Sequence, residues 1–119
     1  MPGSAREFFQ EGLNFFNKGN TLRALTFFEK SYNVDPSEPL CRSYMALLLA
    51  SERGQLQKGI NLAEDTIAGS PKEPVLYLNL AKLYSRAERK KDAIETLRAG
   101  MRCGPVSESE ALLNLLSRA

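Results

Sequence analysis

Apolar residues recur along this chain in stripes of helical period, interrupted at regular intervals by Gly, Asn and Pro. In the first stretch Phe8, Gly12 and Phe15 share one face. An aromatic, a small residue four on and another aromatic three beyond are neighbours on an α-helix. Gly19-Asn20 breaks that helix, Leu22, Leu25, Phe28 and Tyr32 form a second stripe, and Asp35-Pro36 ends it. The pattern predicts a helical hairpin. Ser4 and Glu7 read as a capping box at its start. Gly19 suits a left-handed closure of the first helix, and Asn20 suits the cap of the second. A lone hairpin cannot bury both stripes, so it needs neighbours of the same kind.

The layout repeats. Pro36, Pro71 and Pro105 fall 35 and 34 residues apart. Tyr77, Ala81, Tyr84, Ala93, Leu97 and Gly100 stand where the first stretch has Phe8, Gly12, Phe15, Ala24, Phe28 and Ser31. Three units follow, at about 5–38, 40–73 and 74–107. The second is the loosest: Gly54 and Pro71 fall in place, but Leu47 takes the small column and Ala50 the aromatic one. Large and small residues there trade places one turn apart at roughly constant volume. Gly59 sits inside the next helix, where glycine costs about 0.5–1 kcal/mol relative to alanine, so close helix approach is expected. In the third unit Glu88 replaces the glycine between helices. After Pro105, Ser107 and Glu110 read as another capping box, followed by an inward stripe of Ala111, Leu112, Leu115 and Leu116. Ser109, Asn114 and Arg118 lie opposite. This helix, at about 107–118, would shield the end of the stack, and a chain stopping just after it fits a piece of a longer protein. The expectation is one all-α domain over residues 1–119, with seven helices and no strand.

At these columns the sequence resembles the tetratricopeptide repeat, whose W-x2-L-G-x2-Y, A-x3-F and P pattern has a period of about 34. The resemblance covers roughly Ala5 to Ser107. It implies a right-handed α-solenoid of three helix-turn-helix repeats plus a capping helix, a non-enzymatic interaction module whose first helices line a concave face. The family's geometry assigns Arg6, Phe9, Leu13, Phe16 and Asn17 to that face, then Cys41, Tyr44, Leu48, Ser51 and Glu52, then Val75, Leu78, Lys82, Ser85 and Arg86. Of these, Phe9, Leu13, Phe16, Tyr44, Leu48 and Leu78 would offer apolar anchoring. One subclass grips acidic chaperone tails with lysines, asparagines and an arginine. Here those columns hold Phe9, Leu13, Met45, Val75 and Asn79, so the clamp is absent. The expected partner is a peptide or helix held in an apolar groove. The alternatives are a chaperone shielding one secreted or assembling client, and a homodimer.

Charge and composition narrow this further. The chain has 119 residues, 43% hydrophobic and 25% charged, with formal net charge +2, which suits a globular domain and gives no reason to expect nucleic acid. The charge is uneven, about −1, 0 and +4 across the three units. Lys82 and Arg86, four apart on one helix, would hold an acidic segment or terminal carboxylate of the partner. Histidine is lacking altogether, which removes His-dependent catalysis and the usual zinc spacings. No cofactor motif is present. Glu64-Asp65 are adjacent and point about 100° apart on a helix, so they share no site. Cys41 and Cys103 read as two buried thiols in a reducing compartment. The N-terminus lacks signal-peptide character and the longest apolar run, Met45 to Ala50, is too short to span a bilayer. A cytoplasmic location is the resulting expectation.

Overall fold

The computed structural model describes residues 3–118, so the outermost bounds expected for the domain lie outside it. The elements are α1 (Ala5–Asn17), α2 (Thr21–Val34), α3 (Pro39–Arg53), α4 (Leu56–Gly69), α5 (Pro74–Arg86), α6 (Lys90–Cys103) and α7 (Ser107–Ser117), with no strand among the described residues. The hairpins α1–α2, α3–α4 and α5–α6 stack into a rod 49 Å long and 27 by 24 Å across, and α7 packs on α6.

Local chemistry sets the helix ends. The Ser4 hydroxyl accepts from the Glu7 N–H at 3.2 Å while the Glu7 carboxylate accepts from the Ser4 N–H at 3.0 Å, closing the capping box. The Asn20 side chain accepts from the Arg23 N–H at 3.2 Å. Pro39 and Pro74 open α3 and α5, where a missing N–H costs nothing and the fixed φ favours the helix. Between helices, Gly19, Gly54 and Glu88 all take positive φ, at 81°, 63° and 59°. Glu88 thus adopts the left-handed conformation without glycine's freedom.

Helix starts reveal an internal register. The first helices begin at Ala5, Pro39 and Pro74, spaced 34 and then 35; the second helices begin at Thr21, Leu56 and Lys90, spaced 35 and then 34. The extra residue of unit two lies at the C-terminal end of α3, which runs 15 residues against 13 in α1 and α5. Consequently the small column of unit two is Ala46, fully buried, and the aromatic column is Leu49. The apparent exchange of Leu47 and Ala50 is a register slip, because the repeat is not strictly periodic between Pro36 and Gly54. Ala46 leaves room for the close approach expected at Gly59: a β-carbon at Gly59 would sit 2.5 Å from the Ala46 carbonyl oxygen.

The core forms two clusters along the stack, with Leu62 packed against both. Ala24, Leu25 and Phe28 of α2 meet Cys41, Met45, Leu48 and Leu49 of α3. Ala46, Ile60 and Ala63 meet Leu80, Ala81, Leu83 and Tyr84, which in turn meet Ala93 and Leu97. Leu22 leaves the stripe assigned to it and is 63% exposed; it lies in the first turn of α2, past the end of α1. Cys103 is also exposed, whereas Cys41 is buried and donates to the Phe28 carbonyl at 3.3 Å.

At the N-terminal end the doublets Phe8/Phe9 and Phe15/Phe16 divide their labour. Phe8 and Phe15 flank Phe27, with centroids at 6.5 and 5.5 Å. Arg23 lies 5.3 Å over Phe15, and Lys30 lies 4.8 Å over Phe27 and 5.8 Å over Phe8. Long cationic side chains thus cover this aromatic face of the first hairpin.

The capping helix departs from expectation in two respects. Val106 is its N-cap and no side chain caps it, so Ser107 and Glu110 both lie within the first turn and form no capping box. Its inward face carries Ser109, 4% exposed, with Leu112, Leu113 and Leu116 packed on the core. Ala111 and Leu115 face outward, Leu115 at 63% exposure. Val106 is itself packed on the core, and counting from that anchor at helical period selects 109, 112–113 and 116.

Candidate binding groove

The concave side is built by α1, α3 and α5. On α1, Phe9, Leu13 and Phe16 are half-buried; on α3, Tyr44 and Leu47 are half-buried. The Tyr44 ring is central: its centroid lies 6.1 Å from Phe9, 5.2 Å edge-on from Phe16 and 5.6 Å from Phe28, which supports the group from below. Phe9 also meets Phe28 at 5.7 Å. These rings hold α1 and α3 apart, so the two helices barely approach directly, whereas α3 packs closely on α5. The wedge between them is partly filled from within, yet each of the three upper rings keeps part of its surface open. Burial, and then the charge of Glu108, push the Tyr44 phenol pKa up, so the group stays neutral and able to donate.

The expected set is not brought together whole. Leu48 at 2% and Leu78 at 4% exposure are withdrawn from it, as is fully buried Cys41, and all three belong to the core. The one-residue slip in α3 explains the first and the last; Leu78 is in register but covered by its neighbours. Corrected, the concave positions of α3 include Tyr44, Leu47 and Ser51. Lys82 is already engaged, its ammonium 3.1 Å from the Glu108 carboxylate of α7. Arg86 is exposed, with no ion pair among the described residues. Asn79, in a clamp column, is 1% exposed and donates its amide to the Ser43 hydroxyl at 3.0 Å.

The opposite, convex side carries a feature sequence reasoning missed. A cavity of about 570 Å³ opens between α2, α3 and α4, lined by Glu29, Tyr32, Met45, Leu49 and Leu62, with Asn33, Arg53, Gln55 and Lys58 around them. Arg53 pairs with Glu29 at 2.9 Å. The matching junction between α4, α5 and α6 holds the Tyr84 ring, whose hydroxyl donates to the Glu64 carboxylate, with the Arg89 guanidinium 4.4 Å above the ring. Glu29 and Glu64, spaced 35 like the prolines, were the available signal.

No group of His, Cys, Asp or Glu among the described residues could hold a metal ion, and none of their helices is long and apolar enough to cross a membrane. Burial pushes the Cys41 thiol pKa up, away from a reactive thiolate.

Stacked antiparallel hairpins, small residues where helices cross and a concave face lined by first helices define an α-helical repeat solenoid. A tetratricopeptide repeat model matches residues 50–118, more than half the chain, and the chain belongs to that family. No curated protein matches it in sequence. Among solved structures it is similar to the Sgt2 tetratricopeptide domain from Aspergillus fumigatus, with TM-score 0.80 and 20% identity, over 96% of this chain and 77% of that one. The first such domain of Spaghetti (RPAP3), bound to the HSP90 peptide SRMEEVD, matches with TM-score 0.77 and 15% identity, over 96% and 90%. YrrB, described as having an unusual peptide-binding site, matches with TM-score 0.74 and 16% identity, over 92% and 57%. At these identities the likeness is one of fold.

Proposed function

We propose that the protein is a non-enzymatic interaction module whose concave face takes a partner peptide or helix by its apolar residues. The observation that carries this reading is the half-open aromatic cluster of Phe9, Phe16 and Tyr44, bordered by Leu13 and Leu47. Clustered, partly exposed aromatics on a preorganised surface offer large apolar area at little ordering cost. Arg86, with Lys82 once released from Glu108, would orient an acidic group of the partner. The Spaghetti domain's bound peptide supports a peptide-binding role by analogy. The acidic-tail clamp does not, since its columns here hold Phe9, Leu13, Val75 and the buried Asn79, with Tyr44 in place of Met45 once α3 is shifted by one residue.

The test separates groove from core. Phe16→Ala should retain helicity and a melting temperature within a few degrees of the parent, yet lose the proteins captured by the parent from its native cell. An unchanged set of captured proteins would refute the groove. A second reading, self-association through the outward face of α7, is favoured by the exposure of Leu115. It predicts doubled mass in sedimentation that Leu115→Glu returns to the monomer.

A further inference from the structure

Comparing the two junctions of the stack shows what the convex cavity is shaped to hold. In the register fixed by the helix starts, Glu29 corresponds to Glu64 and Leu49 to Tyr84. The N-caps of α4 and α6, Gln55 and Arg89, correspond as well. At the second junction a tyrosine ring fills the space, with a carboxylate accepting its hydroxyl and a guanidinium lying over its face. At the first junction the carboxylate is kept in Glu29, and Arg53, paired with it at 2.9 Å, supplies the guanidinium. The ring of the Tyr84 column is missing, because Leu49 stands there, while Tyr32, in the register of Ile67, lines one wall. The remaining volume, about 570 Å³, lies within the range of cavities that take ligands.

We infer that this cavity receives a tyrosine side chain of a partner protein, standing in for the ring that Tyr84 supplies at the next junction. Met45 and Leu49, 7% and 5% exposed, form an apolar floor for the ring. Glu29 accepts from the phenol hydroxyl, and Arg53 stacks over the ring once the bond it makes to Glu29 is shared. Charge and chemistry match: an acceptor of a phenol proton and a cation for an aromatic face sit at one mouth. Asn33 and Gln55, both exposed at the rim, supply amide groups for the main chain on either side of the inserted tyrosine. The inference concerns the convex side and stands independently of the concave groove.

Nuclear magnetic resonance of the full, isotope-labelled chain tests it. N-acetyl-tyrosinamide should shift the amide signals of Tyr32, Met45, Lys58 and Leu62, half-saturating on the order of 1 mM, as suits so small a ligand. N-acetyl-phenylalaninamide should bind about fivefold more weakly, having lost the hydroxyl that Glu29 accepts. In Glu29→Gln that preference should fall to about twofold. In Leu49→Tyr, which restores the ring from within, the response should vanish. The free phenol p-cresol, lacking peptide groups, should bind more weakly than N-acetyl-tyrosinamide. Absence of shifts at the cavity, equal binding of the two amino-acid amides, or an undiminished response in folded Leu49→Tyr would overturn the inference. Stronger binding of p-cresol would overturn the assignment to a peptide. Should Leu49→Tyr not fold, the tyrosine preference and its loss in Glu29→Gln decide the matter alone.

Discussion

Glu88 is the residue at which the repeat departs furthest from its own template. Its φ of 59° places it where Gly19 and Gly54 stand in the other units. A side chain in the left-handed region costs about 1–3 kcal/mol, against about 0.4–1 kcal/mol of extra unfolded-state freedom that glycine brings. Glu88→Gly should therefore raise stability by about 1 kcal/mol in a urea melt. Tyr84 belongs to the same scale. Burial, and then its hydrogen bond to Glu64, push the phenol pKa from its ordinary value up to about 12. The neutral form is the one the fold favours, so its contribution is whole below about pH 10 and fades as pH rises to about 12. Tyr84→Phe should lose about 1 kcal/mol below pH 10, with the difference from the parent narrowing toward pH 12 in thermal melts.

At the scale of elements, most of the chain was legible from pattern alone. Caps and turn residues agree at Ser4, Gly19 and Asn20, so the first hairpin announces its own limits. What was not legible was phase. Pattern could not distinguish Ala46 from Leu47 as the small position; Gly59 decides, because of the two it is Ala46 that meets it. That reassignment moved Leu48 from the groove to the core. On α7 the two candidate faces each carry three leucines, and only the anchoring of Val106 chooses between them. The convex cavity stayed hidden because it depends on comparing two junctions rather than reading one. The Gly59 crossing gives a direct check. Gly59→Ala presses a β-carbon on a backbone oxygen and should destabilise by about 1–3 kcal/mol. Gly69→Ala, with nothing within 4 Å of the added carbon, should stabilise by roughly 0.5 kcal/mol. Urea midpoints moving in opposite directions would confirm the crossing.

Over the whole molecule, the stack divides its two long sides between different chemistries. The concave side gathers half-open rings where α1 and α3 stand apart, with cations at the other end on α5. The convex side leaves one junction hollow and plugs the next with Tyr84. Both openings arise at the boundary between the first and second hairpins, where large rings occupy one side and Leu49 is too small to fill the other. The first hairpin is therefore joined to the rest mainly through α2 and α3, around Leu25, Phe28, Met45 and Leu49.

The aromatic ladder at the N-terminal end has a separate bearing on solubility. Phe8, Phe15 and Phe27 would be adhesive if bare, and Arg23 and Lys30 lie over them. Replacing both cations with serine strips that cover while leaving the helices in place. The double variant should precipitate or self-associate at concentrations where the parent stays dispersed, with dynamic light scattering as the readout. Two surface cations would then be what keeps this aromatic face from self-association.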